Sequence, residues 1–141
     1  MSSKRTFLLG ALVCCCLSGC GGDDGLSRFA LSGTVTYDGK EVPAGGLSLM
    51  PDAAKGNTGP GTAAVIEDGK FVTEKGKGHI GGAYVITVRG LDGVPVKGEF
   101  GEMDQSGSPL FPPYKMTVEL PSKDSQMDIE VPVSANTAGL R

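Results

Sequence analysis

At Asp38-Gly39 and again at Asp68-Gly69, an Asp-Gly pair separates two short runs rich in apolar and β-branched residues. A two-residue Asp-Gly loop takes positive φ, which glycine adopts without steric cost, and it reverses an antiparallel pair of strands. This combination of turn and run constrains the fold more than any other feature. Before the first turn, Phe29, Leu31, Val35 and Tyr37 alternate with Ala30, Ser32, Thr34 and Thr36, the period of a half-buried strand. Leu47 and Leu49 mark a second strand that stops at Pro51, and residues 63–66 and 71–73 flank the second turn as a third and fourth. Residues 83–89 (AYVITVR) are apolar on both faces, which predicts a central, well-covered strand. Met116, Val118 and Leu120 form a sixth run, and Met127, Ile129, Val131 and Val133 a seventh.

Glycine supplies 23 of 141 residues, against a usual share of about 7%. Helical periodicity is absent beyond the N-terminus. Seven short strands within residues 28–133 therefore predict one all-β domain, a β-sandwich. Residues 52–60, 75–82 and 91–113 read as loops, and residues 134–141 as a loose, flexible tail. Loops beyond about 12–15 residues are often functional, so the connection 91–113 is the first place to seek a ligand. Phe100, Leu110 and Phe111 are expected to pin it to the sandwich. Lys97, Glu99, Glu102 and Asp104 cluster within it, and Tyr114 follows as the best-placed exposed aromatic; Tyr37 and Tyr84 fall on inward positions. These five residues, Lys97, Glu99, Glu102, Asp104 and Tyr114, are the candidate ligand set, for a divalent cation or a small molecule.

All four cysteines, Cys14, Cys15, Cys16 and Cys20, lie near the N-terminus. Three adjacent thiols cannot wrap a tetrahedral ion, and a disulfide framework needs cysteines spread through the domain. Lys4 and Arg5 precede an 11-residue apolar run at 7–17, too short to span a bilayer but ordered like a secretory signal. Leu17-Ser18-Gly19-Cys20 resembles the lipobox of bacterial lipoproteins. That resemblance implies a diacylglyceryl group on the Cys20 thiol, cleavage just before it, and acylation of the new amine. The expected organisation is a signal peptide at 1–19, a lipidated tether at 20–27, the sandwich at 28–133 and the tail at 134–141. The mature chain then holds 11 basic and 16 acidic residues, a net charge of −5. Two or more acyl chains suffice for stable anchoring, so membrane lipid is the expected partner of Cys20. Gly21 after the anchor, in place of the aspartate that retains enterobacterial lipoproteins at the inner membrane, points to the outer membrane within the cell envelope.

The stretch SGTVTYDGKEVPAGGLSLMP at 32–51 resembles the first hairpin of carboxypeptidase regulatory-like domains, through Gly33, Val35, Gly39, Val42 and Gly46. Phe71, Gly82, Tyr84, Ile86 and Val88 match their later strands. The whole plan, with Pro112-Pro113-Tyr114-Lys115 leading into the sixth run, is similar to small lipoproteins of planctomycete-type bacteria. The resemblance implies a seven-stranded transthyretin-like, immunoglobulin-like sandwich exported to the envelope, with no established chemistry.

Catalysis has little to work with. His79 is the sole histidine, sits among glycines in KGKGHIGG and reads as a solvated loop residue. A Ser or Cys nucleophile needs a nearby base, and no Gly-x-Ser-x-Gly elbow exists. The hydrolases that share the transthyretin fold use several histidines and a Tyr-Arg-Gly-Ser ending, both lacking here. Without Asp-x-Asp-x-Asp-Gly there is no calcium loop of the helix-loop-helix type, and no metal ligands are assigned. Absence of a basic run argues against nucleic acid. The expectation is a non-enzyme without a cofactor, whose partner is an envelope protein or a glycan.

Overall fold

The computed structural model describes residues 25–136. The described chain is all-β. Strands β1 (Leu31–Tyr37) and β2 (Lys40–Glu41) flank the first Asp-Gly turn. β3 (Ala44–Pro51) follows, then β4 (Thr62–Glu67) and β5 (Lys70–Val72) flank the second. Both turns take the expected left-handed form, with φ of 52° and 70° at Asp38 and Gly39 and of 48° and 73° at Asp68 and Gly69. Beyond them come β6 (Gly82–Leu91), β7 (Val96–Lys97), β8 (Met103–Asp104), β9 (Tyr114–Leu120), β10 (Ser125–Gln126) and β11 (Ile129–Val131).

Nine of these form one curled sheet in the order β10-β1-β5-β4-β3-β6-β9, with β2 and β11 also paired to β1. Neighbours are antiparallel except β1, which runs parallel to β10 and β11. The inward faces share one core. Leu31 and Val35 of β1, Leu47 and Leu49 of β3, Ile66 of β4, and Tyr84, Ile86 and Val88 of β6 are its buried centre. Ile129 and Val131 bring the last strand onto the same core. Burying one such side chain stabilises by roughly 1.5–3 kcal/mol, and this is what draws the two ends of the sheet around a common interior.

Three strand expectations change. The seventh run is not one strand. It breaks at Met127 and Asp128, where the Met127 N–H donates to the Ser32 carbonyl at 2.9 Å and Thr34 Oγ1 donates to Asp128 Oδ1 at 2.7 Å. This break is possible because β1 carries Gly33 opposite it: a Cβ there would lie 1.8 Å from the Met127 carbonyl oxygen. Val133 leaves the strand for a short 3-10 turn, Val133–Asn136, with its side chain exposed. Ser134, Ala135 and Asn136 of the expected loose tail belong to that turn, and residues 137–141 lie outside the described residues. β6 lies between β3 and β9 as a central strand should, but it is fully covered on one face only. Val85 and Thr87 are half-buried on the other, and Arg89 is exposed.

Registers fix the two ends of the domain. Leu31, Thr62, Gly82 and Leu120 lie at the near end, where the chain arrives from its N-terminus. Tyr37, Ala44, Leu91 and Tyr114 lie at the far end. The ten residues of β6 separate the two by roughly 30 Å.

Candidate functional site

Two places gather polar side chains in a way that could matter for function, one at each end. At the near end, Phe29 and His79 form an isolated bridge: the Phe29 N–H donates to the His79 carbonyl at 2.7 Å, and the His79 N–H donates back at 3.0 Å. This pair stitches the incoming chain to the loop before β6. The loop is held on its other side by Thr62 Oγ1, which donates to the Lys77 carbonyl.

His79 is not the solvated loop residue that its glycine neighbours suggest. Its exposure is 0%. Gly78 lets the Phe29 backbone approach, and Phe29 and Tyr84 cover the imidazole with ring centroids at 5.9 and 6.2 Å. Nδ1 accepts from the Gly81 N–H at 3.1 Å, so the neutral ring carries its proton on Nε2, which has no hydrogen-bond partner. Loss of hydration holds the pKa below the usual histidine value; the Ala30 carbonyl and the Asp124 carboxylate pull upward but do not outweigh it. A base with no path to solvent cannot take a proton from a substrate. The ring acts as a structural pin.

Around it the same end is cross-braced. Asn57, also buried, donates from Nδ2 to the Gly81 and Ala83 carbonyls at 3.2 and 2.9 Å. Thr73 Oγ1 accepts from the Leu31 N–H at 3.0 Å, and the Tyr84 hydroxyl accepts from the Ile80 N–H at 3.1 Å. None of these contacts had a signal in the sequence, because each joins residues that are brought together only by the meeting of loops and strand ends at this end of the fold.

The far end holds the candidate ligand segment. The connection 91–113 is not structureless: β7 and β8 make a short antiparallel ladder within it, Val96 opposite Asp104 and Lys97 opposite Met103. Its foot is clamped by Asp92, whose Oδ1 accepts from the Val94 N–H at 3.0 Å and the Ser108 N–H at 2.9 Å. Those bonds, Val94 first, hold the carboxyl below its ordinary pKa. The Asp92 N–H and Gly93 N–H donate to the Ser108 and Ser106 carbonyls. Residues 92–109 thus form a hairpin that leaves the sheet at Leu91 and returns at Leu110, whose N–H donates to the Gly90 carbonyl at 3.0 Å.

The three expected pins divide. Leu110 and Phe111 pack on the core, Phe111 at 2% exposure and against Tyr37 with centroids 4.9 Å apart. Phe100 does not: it stands at the hairpin tip with 94% of its surface exposed. Lys97, Glu99, Glu102 and Asp104 all lie on the hairpin and are exposed. Tyr114 is elsewhere, on β9 opposite Val88, half-buried against the core and not the exposed aromatic expected. Asp104 is partly engaged, accepting from the Ser106 N–H at 2.9 Å. Among the described residues no three histidine, cysteine, aspartate or glutamate side chains converge as a metal site. At the foot of the hairpin lies a hollow of about 270 Å³, bordered by Tyr37, Lys40, Glu41, Pro43, Asp92 and Leu110.

Cys20 and the signal at 1–19 lie outside the described residues. Among the described residues no helix is long and apolar enough to cross a membrane. The fold and these two ends define an all-β domain with a braced near end and a projecting far-end hairpin. No family model, no curated protein and no solved structure matches the chain.

Proposed function

We propose that the protein is an envelope lipoprotein, held at a membrane by acylated Cys20, whose domain acts by binding or scaffolding and not by catalysis. The observation that carries this reading is Leu17-Ser18-Gly19-Cys20, placed at the end of the short apolar run and nine residues before Phe29, where the chain is stitched to His79. The near-end bracing supports it. A tethered domain transmits any load through its first residues, and here the Phe29 pair with His79 ties those residues into the sheet before β1 begins.

The sealing of His79 favours binding over acid–base chemistry, since the one imidazole serves as a packing group. A transthyretin-like sandwich is the finer fold reading. It is supported by the way β10, β11, β1 and β5 share a core with β3, β6 and β9. The membrane proposed is the outer one, on the strength of Gly21.

The second reading is a small-ligand site on residues 91–113. The hollow at the foot of the hairpin favours it, with a cation the weaker form because no ligand set is preassembled there.

Radiolabelled palmitate fed to cells making the full chain tests the anchor. Label should enter the wild type and be lost from Cys20→Ala, which should also leave the membrane fraction. Equal labelling of the two would defeat the proposal.

A further inference from the structure

The hairpin 92–109 presents a problem of exposure. A two-stranded ribbon is marginally stable in water by itself. This one also carries large apolar side chains in the open: Val94 is 59% exposed, Val96 38%, Phe100 94% and Met103 53%. Cross-strand register puts Val96 beside Asp104 on one face and Met103 beside Lys97 on the other, so both faces present apolar atoms. Scattered surface apolar residues are ordinary, but four on one short projection make an interaction surface.

The surrounding charge selects the occupant. The turns and hairpin of the far end, residues 38–43, 68–69 and 92–113, hold seven carboxylates against two lysines, a net charge of −5. The near-end segments 25–30, 52–61, 73–81 and 121–124 hold five basic residues against three acidic ones, a net charge of +2. An anionic lipid surface therefore repels the hairpin end more than the near end. The hairpin also emerges from the end opposite to the one the chain enters, so an N-terminal anchor directs it away from the membrane. Lipid is the wrong occupant on both counts. A second copy is poorly suited too, because its most basic segments lie at the near end, beside its own anchor.

We propose that hairpin 92–109 is a docking tip for a protein partner that offers an apolar cleft ringed by lysine and arginine. Phe100 is the residue that enters the cleft. Glu99, Glu102 and Asp104 flank it and meet the basic ring, which speeds encounter and fixes orientation. Asp92 holds the foot so that the tip is presented in one posture. This deepens the binding reading above, and it relies on the Cys20 anchor only for the direction in which the tip faces.

The test is photocrosslinking in cells making the full chain, with p-benzoylphenylalanine at position 100 or 96 and, as control, at the exposed Val65 on the outer face of β4. The expected result is one discrete protein adduct from 100 and 96 and none from 65. Mass spectrometry should place the attachment among apolar residues bordered by lysine or arginine. Glu99→Lys, Glu102→Lys and Asp104→Lys together should cut the adduct at least tenfold while leaving the melting temperature unchanged. An adduct formed only with lipid, only with a second copy, or undiminished by charge reversal overturns the proposal, as does no adduct at all. Failure of palmitate labelling would remove the anchor and leave this result standing, so the two failures are distinct.

Discussion

The closure of β1 onto β10 and β11 depends on one missing methyl group, and Gly33→Ala tests it. A Cβ at position 33 would sit 1.8 Å from the Met127 carbonyl oxygen and 2.6 Å from its carbonyl carbon. An ordinary carbon–oxygen contact is about 3.3 Å, so β1 and the 127–128 break would have to part by roughly 1.5 Å. Neither side can yield alone, because both are backbone. Such forced separation costs about 1–3 kcal/mol, and losing the Met127 N–H bond to Ser32 adds about 1 kcal/mol. A total near 3 kcal/mol is a large part of the roughly 5–15 kcal/mol that stabilises a typical domain. At about 4 °C per kcal/mol for this size, melting should fall by roughly 12 °C.

Gly46→Ala is the control. Its nearest neighbour to a new Cβ is the Ala64 carbonyl oxygen at 3.5 Å, an ordinary contact. Reduced freedom of the unfolded chain should make that variant neutral or up to about 1 kcal/mol more stable. Thermal and urea unfolding followed by circular dichroism would read both. A Gly33→Ala domain within about 1 kcal/mol of wild type, or equal losses for the two variants, would refute the steric account.

Two further outcomes follow from the packing at the two ends. His79 has a lowered folded pKa, so the unfolded chain binds its proton first as pH drops. The stability it contributes is complete above the unfolded value near 6.5 and is lost as pH falls from there through the folded value. The urea midpoint should therefore decline between pH 7.5 and 5.5, and that decline should shrink in His79→Asn. An unchanged slope would mean that the ring is not buried neutral. In the connection 91–113, Phe111→Ala should cost about 3–5 kcal/mol and Phe100→Ser no more than about 0.5 kcal/mol in the same urea assay. Comparable losses would show that Phe100 is covered after all.

Much of the fold was legible because it is written locally. Asp38-Gly39 and Asp68-Gly69 need only their own φ preferences to turn the chain. The alternation of β1 and β9 survives intact, as Leu31 and Val35 face inward and Lys115, Thr117 and Glu119 face out. The candidate segment 91–113 was recognisable as unusual by length alone, and the structure does place Lys97, Glu99, Glu102 and Asp104 together on one hairpin. Cys20, its tether and its proposed lipid are readings of sequence throughout.

What went unread depends on distant partners. His79 looks solvated because glycines surround it, but Phe29, fifty residues earlier, supplies its bridge and part of its cover. Phe100 and Phe111 are the same residue type in the same connection, yet one is bare and the other buried. Their difference lies in where the ladder of β7 and β8 ends and where Tyr37 waits. The sequence by itself determined the two Asp-Gly turns, the faces of β1 and β9 and the charge of each segment, since these follow from a few consecutive residues. Only the tertiary structure decided that the carboxylates of three separate turns share one end, that β1 closes in parallel on β11, and that the sole imidazole is sealed. Burial and charge asymmetry are properties of which segments meet, and register across the curled sheet sets those meetings.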